Sequence, residues 1–497
     1  LLICHVRRSI LHLRSVITWR IKTLIMPPKN ASYATRPGAS EGWWLCLLVP
    51  ACYAATVWRS YQQHQNEHLP QDYKRTVIVT FGLLLHSVVI RGQVQQRWNR
   101  RQAILLLLIV GGLCSALLRV CLAENVVFCA ISGLLPVLLY DRIYFSILAT
   151  IPKSFTFGEA FVVAQGLAIF AYGAMLQLPR LIIHPERKLS DMKIIYSILQ
   201  VGLLGIAVLG MATYYLKWVR NSVAFWIALL ATSCAVALFP IGKLPAITRL
   251  VLFLASDPQT LATTGVYLAL LLCTISFVMW QFNYGRRSTT ATRKVFHLLI
   301  VLVYGPGLWY QCRLLYLASG LMLAVLIVLE MARLVQLSPV EAILNTAVNL
   351  FIDEKDSGPI ALTPIYLLVG CSLPLWLHPS PCDLTNSAGL QTLILSAGVL
   401  SIGIGDTAAS VVGYHLGRHK WSASTSKSVE GTVASVLLQT FAVWGLCHFG
   451  VVHLTVTKAA YAGIAIIVNA LVESRTDQID NLVLPLVTYL LMTGSSS

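Results

Sequence analysis

The residue types best suited to chemistry gather in one stretch, Gly405 to Thr432, which reads GDTAASVVGYHLGRHKWSASTSKSVEGT. It holds the acids Asp406 and Glu430, the bases Arg418, Lys420 and Lys427, and the glycines Gly405, Gly413, Gly417 and Gly431. Phosphoryl transfer needs such parts: a carboxylate that can hold a divalent cation, cations for phosphate oxygens, and glycines that let backbone N–H groups approach a ligand. Asp406 directly follows one apolar run, and Lys427, Ser428, Glu430, Gly431 and Thr432 stand where the next begins. No Asp, Glu, Lys or Arg occurs from Leu384 to Gly405 or from Val433 to Val452. The stretch is therefore expected to be a loop pinned to a membrane face at both ends, with a nucleotide as its ligand.

The elements that position it follow from composition. Of 497 residues, 57% are hydrophobic and 11% charged, whereas about a quarter of residues are charged in soluble chains. Apolar stretches recur near 43–58, 76–90, 103–122, 125–140, 159–178, 194–216, 222–241, 261–282, 296–310, 314–329, 360–377, 388–405, 433–452, 455–472 and 482–493. A full helical span needs about 20 residues, so the fold expected is an all-α integral membrane protein, a polytopic transmembrane helical bundle of roughly 13–15 spans. The stretches at 125 and 296 could instead be re-entrant, and the last could extend back through residue 473. Residues 1–25 read as an upstream or targeting segment, 26–290 as an N-terminal multi-span region, and 291–497 as a C-terminal multi-span catalytic region with a nucleotide loop at 405–432.

A formal charge of +17 does not point to nucleic acid, because the bases sit in short connections between apolar runs. Arg91–Arg101 carries four arginines without an acid, and Arg286, Arg287, Arg293 and Lys294 cluster likewise. Both connections should face the cytosol. The twelve cysteines are scattered without a CxxC pair, so neither a disulfide framework nor a zinc site is expected. Asn30-Ala31-Ser32 fits a glycosylation sequon that would require a luminal N-terminus.

Three further groups stand beside spans, where acids call for partners. Arg293-Lys294-Val295-Phe296-His297 leads into one span and also suits a cytosolic anchor. Asp353, Glu354 and Asp356 precede Gly358-Pro359 and suit either a metal or a solvated turn. On a helix, Glu473, Asp477 and Asp480 would fall at i, i+4 and i+7, placing three carboxylates on one face.

The familiar nucleotide signatures are missing from the sequence. Lys427-Ser428 has the right final pair for a P-loop, but Ser426 stands where its glycine belongs, and there is neither an HRD nor a DFG. Gly413 and Gly417 alone form a GxxxG, which serves helix packing more often than chemistry.

Taken together, Gly405-Asp406-Thr407-Ala408-Ala409-Ser410, Gly413, Gly417, Trp421 and Lys427-Ser428-Val429-Glu430-Gly431-Thr432 resemble the pattern of the CTP-dependent polyprenol kinases. RKVFHLL from Arg293, DEKDSGPIALTPIYLLVGCSLPLWL from Asp353 and TDQIDNLVLPL from Thr476 narrow the resemblance to the dolichol kinase family. It covers about the last 200 residues closely. Ser422–Ser426 departs from the pattern, being a residue longer than usual and without its Pro-Gly.

The resemblance implies a multi-pass protein of the endoplasmic reticulum membrane that moves the γ-phosphate of CTP to dolichol, making dolichyl phosphate for N-glycosylation and mannosylation, with the CTP loop facing the cytosol. A divalent cation, Mg2+ or Ca2+, would accompany the nucleotide, held by Asp406 and by Asp477 and Asp480. Lys427, with Arg418 or Lys420, is expected at phosphate oxygens, and Gly405, Gly413, Gly417, Ser428, Glu430, Gly431 and Thr432 around the nucleotide. Asp353, Asp356 or His297 would accept the alcohol proton. The rivals are a sister CTP-dependent kinase of phytol, farnesol or diacylglycerol, a cytidylyltransferase that releases pyrophosphate, and a transporter. The acids gather at span ends, not at mid-membrane, which weighs against the last.

Overall fold

Within a bilayer every backbone N–H and C=O must be satisfied inside its own segment, so long apolar runs fold as helices. The computed structural model describes residues 33–62, 69–183, 189–284, 290–351, 356–422, 425 and 427–494. Residues 1–25, the sequon at 30–32, Arg286, Arg287 and Asp353 lie outside the described residues, as does the side chain of Arg293.

Helices follow in the order α1 (Leu48–Gln62), α2 (Gln71–Val94), α3 (Arg100–Leu122), α4 (Val126–Thr150), α5 (Phe157–Ile183), α6 (Asp191–Tyr215), α7 (Ser222–Leu238), α8 (Ala246–Leu254) and α9 (Pro258–Tyr284). They continue as α10 (Thr290–Tyr310), α11 (Cys312–Leu334), α12 (Glu341–Phe351), α13 (Thr363–Leu377), α14 (Thr392–Leu395), a π-helical segment (Val399–Asp406), α15 (Thr407–Leu416), α16 (Val429–His448), α17 (Val456–Arg475) and α18 (Asp480–Gly494). The strands among the described residues are a two-residue pair, Pro240–Ile241 against Leu244–Pro245. The fold is all-α and polytopic, as expected. Nine helices among the described residues are long and apolar enough to cross a membrane, the bent pair Gly389–Leu395 and Val399–Leu416 makes a tenth, and four shorter apolar helices accompany them.

Helix starts are written in the sequence: Asn99 and Gln102 form a reciprocal capping box on α3, and Ser190, Ser428 and Thr455 each accept from a backbone N–H three residues on. Such side chains satisfy donors that the helix cannot reach. The stretch from 125 is not re-entrant; it is a continuous helix through Pro136. The last stretch does not extend back through residue 473, because α17 and α18 are separate helices.

The chain divides into two units. The first comprises the described residues up to Cys46, with Ile78–Ala171 and Ser357–Pro359. There α3 and α4 pack closely, since a Cβ on Gly133 would meet the Ser115 backbone nitrogen at 2.6 Å. Its buried charges come in pairs, Arg36 with Glu159 at 2.6 Å and His86 with Asp141 at 3.0 Å. An unpartnered charge there would carry its full desolvation cost.

The second unit, Leu47–Val77, Tyr172–Asp356 and Ile360–Ser497, holds every residue of the 405–432 stretch. Its core joins α6, α10, α11, α13 and the π segment through Ile195, Tyr304, Leu315, Cys371 and Ile402. Cys312 and Cys382 are joined by a disulfide, contrary to the expectation from spacing. The two are 70 residues apart in sequence, one opening α11 and the other following α13, and only the antiparallel return of those helices makes them neighbours.

Around the disulfide the loop is tightly bonded. Ala388 donates its N–H to the Leu308 carbonyl at 2.7 Å, and Asn386 accepts from Arg313 N–H at 3.0 Å. Burial works to raise the proton affinity of Asp383, but donation from Thr385 and Ser387, backbone and hydroxyl alike, outweighs it and holds the carboxyl below its ordinary value. That stabilisation is present above the ordinary carboxylate pKa and is lost as pH falls through the lowered one. Closing a loop of this length restricts the unfolded chain by about 4 kcal/mol in the entropic account. Cys312→Ser is therefore expected to lower the thermal midpoint of the purified protein while leaving the distant 405–432 region folded, as read by melting with and without reductant.

Candidate active site

The π-helical segment is the device that presents Asp406. An i→i+5 winding inserts a residue into an otherwise α-helical run and re-aims the side chains that follow; here it ends on Asp406, and α15 continues from Thr407. The first part of the expected loop is thus helix, and the loop proper runs from Gly417 to Ser428. The π segment packs against α10, α16, α17 and α18.

From α10 come two partners that are remote in sequence. Lys294 Nζ lies 2.7 Å from Asp406 Oδ2, and His297 Nε2 lies 3.2 Å from the same oxygen. Both basic side chains are mostly buried, as is the carboxylate. An ionised carboxylate only accepts, so His297 Nε2–H is the donor, and the buried Nδ1 has no partner among the described residues. The RKVFH stretch is therefore part of the site through Lys294 and His297, beyond any anchoring role.

Lys427 closes another side. Its ammonium donates to the Glu473 carbonyl, to the Thr476 carbonyl at 3.1 Å and to Asp480 Oδ1 at 3.2 Å. One cation thus fastens the C-terminus of α17 to the N-terminus of α18, where the carbonyls and an acid are the natural partners of a positive charge. The expected helical face of Glu473, Asp477 and Asp480 does not exist. Thr476 is extended and ends α17, its hydroxyl accepts from Gln478 N–H at 3.2 Å, and Asp480 opens the next helix. Asp477 instead accepts from Gln478 Nε2 at 2.8 Å.

The remaining loop residues hold the loop itself. Glu430 accepts from His419 N–H at 3.1 Å and from its ring at 2.7 Å. Trp421 donates from Nε1 to Thr432 Oγ1 at 2.9 Å and lies under Arg475, whose guanidinium carbon is 5.4 Å from the ring centre. Lys420 pairs with Ser428 through the backbone, and Ser428 caps α16 by accepting from Gly431 N–H at 3.1 Å. Arg418 and Lys420 remain exposed at the loop surface.

The space beside the glycines is taken by protein. A Cβ on Gly417 would meet the Gly413 carbonyl at 2.3 Å, one on Gly431 the Ala409 carbonyl at 2.6 Å, one on Gly413 the Ser428 hydroxyl at 3.0 Å, and one on Gly405 the Gln439 amide at 2.5 Å. These residues let α15 lie directly on α16, the packing reading of small residues in helices. Gly431→Ala is expected to push the two helices apart at a cost of about 1–3 kcal/mol, as overpacking does, which a lowered thermal midpoint would register.

Asp356, offered above as a proton acceptor, accepts from Leu362 N–H at 3.1 Å and from the Thr363 hydroxyl at 2.6 Å, and so tethers the start of α13. Among the described residues no three His, Cys, Asp or Glu side chains form a metal site by themselves. Mg2+ is commonly held through one or two carboxylates plus substrate phosphates. Asp406 and Asp480 supply oxygen donors of that kind, each presently paired with a lysine. The donor set fits a divalent cation bound together with nucleotide phosphates. The sequence reading passed over three fully buried polar side chains: Ser435 and Gln439 on α16, which lie against Gly405, and Asn469 on α17, one turn before Glu473. Their signal was available, since Ser435 and Gln439, like Asn469 and Glu473, stand one helical turn apart inside apolar runs.

The sequence model of the family described as dolichol kinase matches residues 101–368. A dolichol kinase of Homo sapiens is 33% identical over 362 residues, 70% of this chain and 66% of that protein. One of Mus musculus is 43% identical over 208 residues, 41% of this chain and 39% of that protein. The dolichol kinase EVAN of Arabidopsis thaliana is 33% identical over 252 residues, 48% of this chain and 42% of that protein. The chain therefore covers slightly less than two thirds of the human relative's length. No solved structure matches it.

Proposed function

The chain belongs to the dolichol kinase family, and we propose that it transfers the γ-phosphate of CTP to dolichol at the endoplasmic reticulum membrane, releasing CDP. The observation that carries this is the meeting of motifs from three separate parts of the sequence, with Lys294 and His297 on Asp406 and Lys427 on Asp480. Cations and carboxylates converging at the ends of spanning helices suit a transfer between a nucleotide in water and an alcohol in lipid.

In-line transfer to an alcohol is catalysed mainly by positioning and by neutralising charge. Lys427, with the exposed Arg418 and Lys420, binds phosphate oxygens. Lys294 and His297 hold Asp406 in place. Asp406 and Asp480 would hold a divalent cation, which supplies charge neutralisation on the phosphates when bound. The glycines act by keeping α15 against α16, and so fix the distance between Asp406 and the loop.

Sidedness is supported from both ends of the second unit. From Lys294 to Leu308, α10 rises about 21 Å, so the disulfide loop that bonds to Leu308 lies at the opposite end of the helix from the site. Disulfides persist in the lumen and not in the cytosol, and bases gather on cytosolic connections. Both support a CTP loop that faces the cytosol.

The test is a phosphotransfer assay on microsomes carrying the chain, with dolichol and either CTP or ATP labelled at the γ-phosphate. Label entering dolichol from CTP and not from ATP is expected. Label entering only phytol, farnesol or diacylglycerol would move the chain to a sister activity, and release of pyrophosphate would make it a cytidylyltransferase.

A further inference from the structure

Glu473 has been described so far only through its backbone carbonyl, which takes a bond from Lys427. Its side chain is more unusual. The residue is 7% exposed and its Oε2 has no hydrogen-bond partner among the described residues. One turn earlier on the same buried face of α17, Asn469 is 0% exposed and neither amide atom has a partner among the described residues. A buried acid and a buried amide near the end of a spanning helix, both unsatisfied, mark a place where a polar ligand group is received.

The neighbourhood identifies which ligand. Lys427 donates both to the Glu473 carbonyl and to Asp480 Oδ1, so Glu473 stands beside the phosphate site. The adjoining helix α16 carries Ser435 and Gln439 on its buried face, and the Gln439 amide sits against Gly405, the residue before Asp406. Gln439 donates to Ser435 at 3.0 Å and keeps its own Oε1 unpartnered. Polar atoms therefore extend inward from the site along α16 and α17, away from the exposed loop where Arg418 and Lys420 stand. A nucleotide phosphate would need cations in this region, and it offers amides and one carboxylate. An alcohol hydroxyl fits them: it donates one proton and accepts at two lone pairs, which a carboxylate oxygen and an amide N–H complement.

We infer that Glu473 is a catalytic residue that accepts the proton of the lipid alcohol, and that Asn469 beside it positions the hydroxyl. This rests on the kinase reading above. As the alcohol oxygen forms its bond to the γ-phosphorus, the bond from that phosphorus to the β-phosphate oxygen breaks, and CDP departs with the electron pair. The alcohol proton passes to Glu473 Oε2, giving a neutral carboxylic acid that later releases the proton to water. His297, with Nε2 on Asp406 and Nδ1 unpartnered among the described residues, is the competing acceptor, to which an unchanged kcat in Glu473→Gln would assign the proton.

The experiment uses the full chain in microsomes, with kcat and KM measured separately for CTP and for dolichol, beside thermal melting of each variant. Glu473→Gln is expected to lower kcat about 10²–10⁴-fold, the usual contribution of a general base, with KM for CTP changed less than about twofold. Glu473→Asp should fold and recover part of the loss. Asn469→Ala should raise KM for dolichol and leave KM for CTP alone. Unchanged kcat in Glu473→Gln overturns the inference, as does a parallel rise of KM for CTP, which would put Glu473 on the phosphate side. If Glu473→Gln fails to fold, wild-type kcat in Glu473→Asp together with wild-type KM for dolichol in Asn469→Ala overturns it. Wild-type protein that transfers no label from CTP to dolichol would instead sink the kinase reading itself.

Discussion

Asp406→Asn is expected to abolish measurable phosphotransfer, with kcat/KM falling about 10²–10³-fold or more, the scale on which a single group that stabilises transition-state charge acts. The same substitution removes the counter-charge of Lys294, which is mostly buried. Breaking a buried pair leaves the other charge uncompensated at about 3–5 kcal/mol, and the 13% and 16% exposure of these side chains puts the figure toward the lower end. Lost activity could then reflect lost folding. The double variant Asp406→Asn with Lys294→Met separates the two, since it removes both charges. It should recover most of the thermal midpoint and none of the activity. Recovery of phosphotransfer in the double variant would show that Asp406 serves only to neutralise Lys294.

The linear motifs made the family legible, because GDTAAS and KSVEGT combine acids, a base and small residues at the ends of two apolar runs, a conjunction that span composition alone does not produce. The helical fold was legible for a simpler reason: in a bilayer an apolar run has no other way to satisfy its backbone. What could not be read was which motif touches which. Lys294 and Asp406 are 112 residues apart, and nothing in their spacing encodes the pairing. The packing role of the glycines was not separable from a ligand role, because a small residue that admits a ligand and one that admits a neighbouring helix look alike in sequence. The carboxylates of 473–480 were misread for a local reason, the break at Thr476, which places Asp480 at a helix start beside Lys427 and leaves Glu473 buried one helix earlier. The disulfide was hidden in the same way as the Lys294 pairing, by helices that return antiparallel.

Lys427→Met is expected to lower kcat/KM for CTP about 100-fold, the ~3 kcal/mol typical of truncating one member of a hydrogen-bonded charge pair. Two causes could produce such a loss. Lys427 holds the corner between α17 and α18 through Thr476 and Asp480, and it is also the best-placed cation for nucleotide phosphate. At 27% side-chain exposure the ammonium is within reach of a ligand as well as of the corner. Asp480→Asn weakens the same corner while keeping the cation, and because Asp480 is also assigned to the divalent cation it is compared by thermal midpoint alone. If phosphate binding dominates, Lys427→Met raises KM for CTP while lowering the thermal midpoint no more than Asp480→Asn does, and Lys427→Arg restores part of the affinity. If the corner dominates, Lys427→Met lowers the thermal midpoint and the activity together, and the arginine, which cannot reproduce the compact ammonium's bonds to two carbonyls and a carboxylate, rescues neither. The first pattern is the one expected, because a corner needing only structural support could be closed by a capping side chain, whereas this one is closed by a charge that reaches it from the 405–432 stretch.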